Sequence, residues 1–396
     1  MSKVAILGFG VVGSGVAEVL TQNGAHIDGK IHDHLELKYI LDVRDFPDSP
    51  FADKMVKDFA VIEADPEVDI VVETIGGAKI AWEFTKRALA AGKNVVTSNK
   101  ELVAERGCEL LELAREKHVR YLFEASVGGG IPILHPLREC MAANRIDEVY
   151  GILNGTTNYI LTRMVRTGAF FSDALREAQS RGYAEADPTA DVEGFDAMRK
   201  ICILADLAFG SQVDPSMVPT EGISRMSLRD VKIANRAGYR IKLLGRALRL
   251  PEDRRTAYVA PHLIPEDWPI ANVESVFNAV VVRGNATGEV MFYGRGAGEL
   301  PTASACVSDV MECLTSQQPG PLWSRDSSGY EDPAELETRH YFRIEGSLTD
   351  AALAFGQVEV LSEDGETAFM TDKLSALDAK RQSARLNVLA HMRVLS

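Results

Sequence analysis

The sequence predicts an α/β protein in three parts: a doubly wound parallel sheet, then an α+β unit, then a smaller α+β unit at the C-terminal end. Three observations carry that prediction. A glycine-rich turn joins the first apolar run to a helical pattern, and strand-like and helix-like segments then alternate through the first third. From about residue 240, short alternating strands separated by turn residues take over. With 396 residues, 46% hydrophobic and 25% charged, the chain is long enough for two or three domains.

KVAILGFGVVGSGVAEVL reads as strand, tight turn and helix: an apolar run, then Gly8, Phe9, Gly10, Val11, Val12 and Gly13, with Val12, Val16, Val19 and Leu20 on one helical face. A G-x-G-x-x-G in that context marks a Rossmann-type dinucleotide site, since missing side chains let backbone N–H groups approach a pyrophosphate at the positive end of the helix. A plain glycine turn is the competing reading. LELKYILD, DIVVETI, NVVTSNK and VRYLFEASV follow as strands, with helices near 79–91 and 100–118.

The second strand ends on Asp42 and, two residues on, Arg44. An acid there would bond the ribose hydroxyls of NAD, and an arginine would neutralise the extra phosphate of NADP, so the pair leaves the cofactor's phosphate state open. Ile75 and Gly76 end the DIVVETI strand and are expected cofactor contacts. Lys100 and Glu124 stand at the ends of the last two strands, where an open parallel sheet presents its ligand. Three glycines follow Glu124, which implies close backbone approach or carbonyl groups turned to a ligand.

Past a helix over PILHPLRECMAAN, GILNGTTNYIL reads as a strand whose turn, with Asn154 and Thr156, leads a helix. A helix near 171–182 comes next, then RGYAEADPTADVEGFDAMRK, which gathers Glu185, Asp187, Asp191, Glu193 and Asp196 ahead of a largely buried helix carrying Lys200. Asp196 and Lys200 lie four apart on one helical face, a spacing that also suits an ordinary salt bridge. Asp187 and Glu193 read as capping or solvent-facing acids.

Composition excludes several function classes. A net charge of −14 disfavours nucleic acid as a partner. Five scattered cysteines without a CxxC pair read as reduced core residues, and His32 with His34 lacks the further ligands of a zinc site. Apolar runs fall short of the ~20 residues of a membrane span. The N-terminus has no signal-peptide pattern, so a cytoplasmic enzyme acting on small molecules is expected.

GFGVVGSG, TSNKEL, FEASVGGGIPI, GILNGTTNYI and RGYAEADPTADVEGFDAMRK, in this order and spacing, closely resemble homoserine dehydrogenase over residues 1 to about 315. The resemblance implies reversible NAD(P)-dependent reduction of aspartate 4-semialdehyde to L-homoserine on the route to threonine and methionine. It implies that Lys200 is catalytic and that Lys100 contacts cofactor and substrate. Glu185, Asp196, Asp191 and Thr156 match the substrate-binding positions. Gly182 and Gly298 would join Gly8, Phe9, Gly10, Val11, Val12, Gly13, Arg44, Ile75 and Gly76 around the cofactor. A sodium-like ion is implied at the Glu124 carboxylate and the carbonyls of Val127, Gly129 and Ile131. A homodimer or homotetramer is implied as well. Two rival readings are a related semialdehyde dehydrogenase with a cysteine nucleophile and a catalytically silent NAD(P)-binding regulator. The absence of a cysteine in a recognisable strand-to-helix turn opposes the first, and the retained Lys100, Lys200, Glu185 and Asp196 oppose the second.

RIKLLGRALRL, TAYVAPHLI, VFNAVVVRG and GEVMFYG predict antiparallel strands that finish the substrate domain. The expected division is 1–135 for the Rossmann-type domain, with helix 301–315 returning to it, 136–300 for the α+β substrate and dimerisation domain, 316–336 as linker and 337–396 as a small α+β domain. That last part resembles an ACT regulatory domain in degenerate form. It lacks the Asp-x-Pro-Gly-Val-Leu turn, and SLTDAALAFG leaves little room for the first helix, so little sensitivity to threonine is expected.

Overall fold

A computed structural model describes residues 1–316 and 320–395. Two sheets organise the chain. The first is built from β1 (Ser2–Leu7), α1 (Val11–Gln22), α2 (Gly24–Ile31), β2 (Leu35–Leu41), β3 (Met55–Val56), α3 (Phe59–Ala64), β4 (Ile70–Glu73), α4 (Ala78–Ala90), β5 (Asn94–Thr97), α5 (Lys100–Glu116) and β6 (Tyr121–Leu122). Its strands are all parallel in the order β3-β2-β1-β4-β5-β6, the doubly wound arrangement. Central strands covered on both faces must be apolar throughout, and Val4 to Leu7, Ile70 to Val72, Val95 and Val96 are fully buried.

The second sheet follows from β7 (Ile146–Ile152), α6 (Gly155–Thr167), α7 (Phe171–Ser180), α8 (Thr189–Val192), α9 (Phe195–Phe209), α10 (Leu228–Arg236), β8 (Tyr239–Arg249), β9 (Arg255–Pro265), β10 (Phe277–Gly284) and β11 (Gly288–Arg295). Helix α11 (Glu299–Thr315) then packs against the first sheet. A Cβ at Gly15 of α1 would lie 2.8 Å from Glu299 and 3.1 Å from Ala303, so glycine lets the two helices cross closely. The chain ends in β12 (Glu337–Ile344), α12 (Leu348–Phe355), β13 (Glu359–Glu363), β14 (Thr367–Met370), β15 (Leu374–Ser375), α13 (Ala376–Gln382) and β16 (Val388–Val394).

Several elements depart from expectation for identifiable reasons. VRYLFEASV yields only the two residues of β6, because the chain turns into a 3-10 turn at Glu124–Ser126 to serve a neighbouring helix start. The first C-terminal helix, for which the sequence leaves little room, exists as α12. A reciprocal capping box between Ser347 and Asp350 satisfies its first N–H groups. The strand order β16-β12-β14-β13 is the ferredoxin-like βαββαβ pattern. Its outer strand does not stand free: Arg393 and Val394 pair in parallel with His262 and Leu263 of β9, so both α+β units share one sheet.

Residues 317–319 of the expected linker lie outside the described residues. The rest is pinned down. Ser324 O accepts from Gln212 N–H, Gly329 O from Arg255 N–H, and the buried Trp323 packs edge-on against Phe123.

Candidate active site

The glycine turn is shaped by three different requirements. Gly8 sits at φ +92°, where L side chains are strained. A Cβ on Gly13 would fall 1.9 Å from the Gly8 carbonyl oxygen, so the turn closes only without one. A Cβ on Gly10 would meet nothing within 4 Å, which leaves open space beside the uncapped first turn of α1. Free N–H groups at a helix start facing open space suit an anion. Ile75 borders this turn, since a Cβ on Gly8 would lie 3.2 Å from its Cγ1, and Gly76 opens outward beside it. Phe9 is buried edge-on against Phe46 and Phe51, Val12 packs into the α1 core, and Val11 stays exposed at the helix start.

Asp42 is saturated. Its carboxylate accepts N–H bonds from Phe9 at 2.7 Å and Arg44 at 2.8 Å, and the Arg44 guanidinium adds bonds at 3.0 and 3.1 Å. Arg44 therefore holds the Asp42 pKa down at about 2 despite burial. The Arg44 side chain is 59% exposed and lies 5.0 Å over the Phe46 ring. Lys57, which the sequence does not single out, donates to the Arg44 carbonyl at 2.5 Å and pairs with Asp45, so two cations flank the end of β2.

The start of α5 meets α9. Asp196 is 5% exposed and shared between two lysines: Lys200 Nζ lies 2.7 Å from Oδ2 and Lys100 Nζ 2.7 Å from Oδ1. Lys200 also donates to the Leu153 carbonyl at 2.8 Å, and Asn154 Nδ2 donates to Asp196 at 2.9 Å and Asp191 at 2.7 Å. Asn154 is in this position because its Oδ1 caps α6 through Thr157 N–H.

Burial lowers the Lys200 pKa and the neighbouring Lys100 charge lowers it further, while Asp196 opposes both. Burial alone would raise Asp196, but the two lysines outweigh it and keep the carboxylate well below its usual range. The Asp196 charge raises Lys100, which is the more exposed of the two cations. Arg199 and Glu101 add a second ion pair between the same helices at 3.3 Å.

Thr156 is buried and donates to the Tyr183 carbonyl at 2.6 Å. Glu185 is exposed, and its carboxylate has no hydrogen bond or ion pair among the described residues. Gly182 ends α7: its N–H donates to Gln179 O and that of Tyr183 to Ala178 O, a Schellman closure that needs the positive φ of +73°. Asp187 bonds the Thr189 amide and hydroxyl, the expected local capping role. Gly298 precedes α11 at φ +126°. The neighbouring Gly296 lies so near Gly129 that a Cβ on Gly129 would come within 2.7 Å of it.

The Glu124 carboxylate is engaged by backbone donors. Oε1 accepts N–H bonds from Ile133 at 2.6 Å and Leu134 at 2.9 Å, and Oε2 accepts from His135 at 2.6 Å. Unpaired N–H groups at the start of the helical turn near 134–140 attract an acid, and burial raises its pKa against those bonds. The carbonyls of Val127, Gly129 and Ile131, by contrast, accept no hydrogen bond among the described residues.

Cys202, on the same helix as Lys200, is fully buried with its thiol pKa pushed well up by burial.

The fully buried Glu73 accepts from the Ile75 N–H and the Thr97 hydroxyl, and Asn99 caps α5 ahead of Lys100; the sequence pattern singles out none of the three. The available signal was an acid closing the otherwise apolar IVVE strand.

A family model described as homoserine dehydrogenase matches residues 132–311, and one described as homoserine dehydrogenase, NAD binding domain, matches residues 8–124. A homoserine dehydrogenase of Pseudomonas aeruginosa is 45% identical over 375 residues, covering 92% of this chain and 86% of its own. One of Mycobacterium bovis is 38% identical over 403 residues, covering 98% and 90%. Among solved structures, a homoserine dehydrogenase from Thiobacillus denitrificans matches with TM-score 0.93 at 35% identity, over 100% of this chain and 98% of that one. A hyperthermophilic archaeal homoserine dehydrogenase mutant in complex with NADPH matches with TM-score 0.68 at 29% identity, over 80% and 99%.

Proposed function

The chain belongs to the homoserine dehydrogenase family and is an NAD(P)-dependent oxidoreductase interconverting aspartate 4-semialdehyde and L-homoserine; from that premise we propose that Lys200 is its proton-transfer residue and Asp196 the hinge of its substrate site. The carrying observation is Asp196 clasped between Lys100 and Lys200.

The bound cofactor supplies or accepts the hydride. Reduction builds negative charge on the aldehyde oxygen, which a nearby lysine cation stabilises as it develops and then protonates. In the reverse direction Lys200 must be neutral to take the proton. Its burial and the Lys100 charge favour that state, while Asp196 favours the protonated one. The unpartnered Glu185 carboxylate suits the substrate α-ammonium. Asp191, Asn154 and Thr156 then complete a polar wall, and Gly182 and Gly298 border the nicotinamide end.

Finer assignments follow the same residues. Asp42 is fully engaged, whereas Arg44 is exposed with Lys57 behind it, which supports NADP as the preferred cofactor. A monovalent cation would be held by the free carbonyls of Val127, Gly129 and Ile131 rather than by the Glu124 carboxylate. Exposed Met291 and Tyr293 on the edge strand β11 support self-association through the substrate unit. Residues 1–135 with α11 would bind cofactor, 136–300 substrate, and 337–396 would serve packing rather than threonine sensing, all in the cytoplasm.

The test is reduced-nicotinamide absorbance with L-homoserine, NADP and NAD in turn, on wild type and Lys200→Ala. Undiminished turnover in Lys200→Ala removes the assigned role. Strong inhibition by millimolar threonine would overturn the reading of residues 337–396.

A further inference from the structure

We infer that Glu73 is a positioning residue: through a closed ring of hydrogen bonds it holds the cofactor-side turn at 75–77 and the start of α5, which carries Lys100, as one unit. Glu73 and Thr97 are register partners on β4 and β5, and both are fully buried. Ile75 N–H donates to Glu73 Oε1 at 2.6 Å, and the Thr97 hydroxyl donates to Oε2 at 2.6 Å. Asn99 N–H donates to Thr97 Oγ1 at 2.9 Å. Asn99 Nδ2 then donates to the Ile75 carbonyl at 3.1 Å, closing the ring, and to the Gly77 carbonyl at 3.0 Å. The same Asn99 side chain caps α5 through Leu102 N–H at 3.0 Å, so the ring ends one residue before Lys100.

A carboxylate inside an apolar parallel sheet is costly unless every lone pair has a use. Here each oxygen is tied to a different arm of the site. The 75–77 turn follows β4 and Lys100 follows β5, and nothing in a parallel sheet sets the spacing of two such loops to better than the slack of their backbones. Misplacement by about 1 Å can cost about a hundredfold in rate. The inference rests on the reading that Ile75 and Gly76 touch cofactor and that Lys100 acts at the substrate.

Asn99→Asp tests the ring with least disturbance, because aspartate still caps the helix but cannot donate to the two carbonyls. Thr97→Val breaks the ring elsewhere and covers the case in which a Glu73 variant fails to fold. The readouts are urea midpoint, cofactor Kd by fluorescence titration without substrate, and kcat with saturating homoserine. We expect Asn99→Asp to lower its midpoint modestly, because a carboxylate oxygen then meets two carbonyl oxygens, while Kd rises and kcat falls, each about tenfold. The double variant should be no worse than the poorer single variant by more than about threefold, since both break one ring. A loss in only one readout, losses that multiply in the double variant, or a lowered midpoint with Kd and kcat unchanged would each overturn the inference. Lys100→Ala, with the ring intact, separates the two levels. If it keeps full kcat, the role of Lys100 fails, while cofactor Kd in the ring variants still judges the ring.

Discussion

Asp196 and Glu124 are both buried carboxylates, yet they have opposite electrostatic fates. Asp196 is held by two lysine ammonium groups and one amide, and its pKa is driven down. Glu124 is held by three backbone N–H groups, and burial leaves its pKa raised. Side-chain cations can move, exchange partners and transfer protons, whereas backbone amides can only hold still. On the proposed reading, the first arrangement serves chemistry and the second architecture.

The largest test of that contrast is Lys200→Ala. It should cut kcat about 10²- to 10⁴-fold, as loss of a general acid–base does. Asp196→Asn should then lower kcat/KM about a hundredfold, because the two lysines lose the charge that orients them. Glu124→Gln should instead cost stability, about 2 to 4 kcal/mol by urea titration, because its amide presents a donor to donors. The kcat of its folded fraction should stay within about twofold. A Glu124→Gln enzyme that is stable but slow would erase the distinction.

Arg44→Ala sharpens the comparison on the cofactor side. It should lower kcat/KM for NADP about tenfold and leave NAD nearly unchanged, which corresponds to loss of one charge-assisted contact. The smallest effect is on pH. Homoserine oxidation needs neutral Lys200, so its rate should rise with pH through the depressed Lys200 pKa. Lys100→Ala removes a like charge and leaves Asp196 to Lys200 alone, so the rising limb should move to higher pH. A shift downward would contradict the electrostatics of the pair.

Much of this site was legible in the sequence, and its missing parts share one cause. Gly8, Gly10 and Gly13, the strand ends at Lys100 and Glu124, and the Asp196 and Lys200 spacing can all be read from local pattern. The saturation of Asp42, the capping by Glu124 and the Glu73 ring cannot. Each depends on donors brought from other elements: Phe9 to Asp42, Ile133 to Glu124, Thr97 to Glu73. The C-terminal unit differs: its capping box is local, Ser347 with Asp350 three residues on, and needs no donor from another element.

By itself, the sequence determined the parallel first sheet, the dinucleotide turn and the inventory of acids and lysines, because apolar periodicity and glycine sterics act over a few residues. Only the tertiary structure decided which acid meets which cation. It joined Lys100 to Asp196 across two sheets, and it fused β16 to β9 so that two expected domains share one sheet. A carboxylate's bonding capacity is filled by whichever donors the fold delivers, and that delivery is a property of packing rather than of spacing along the chain.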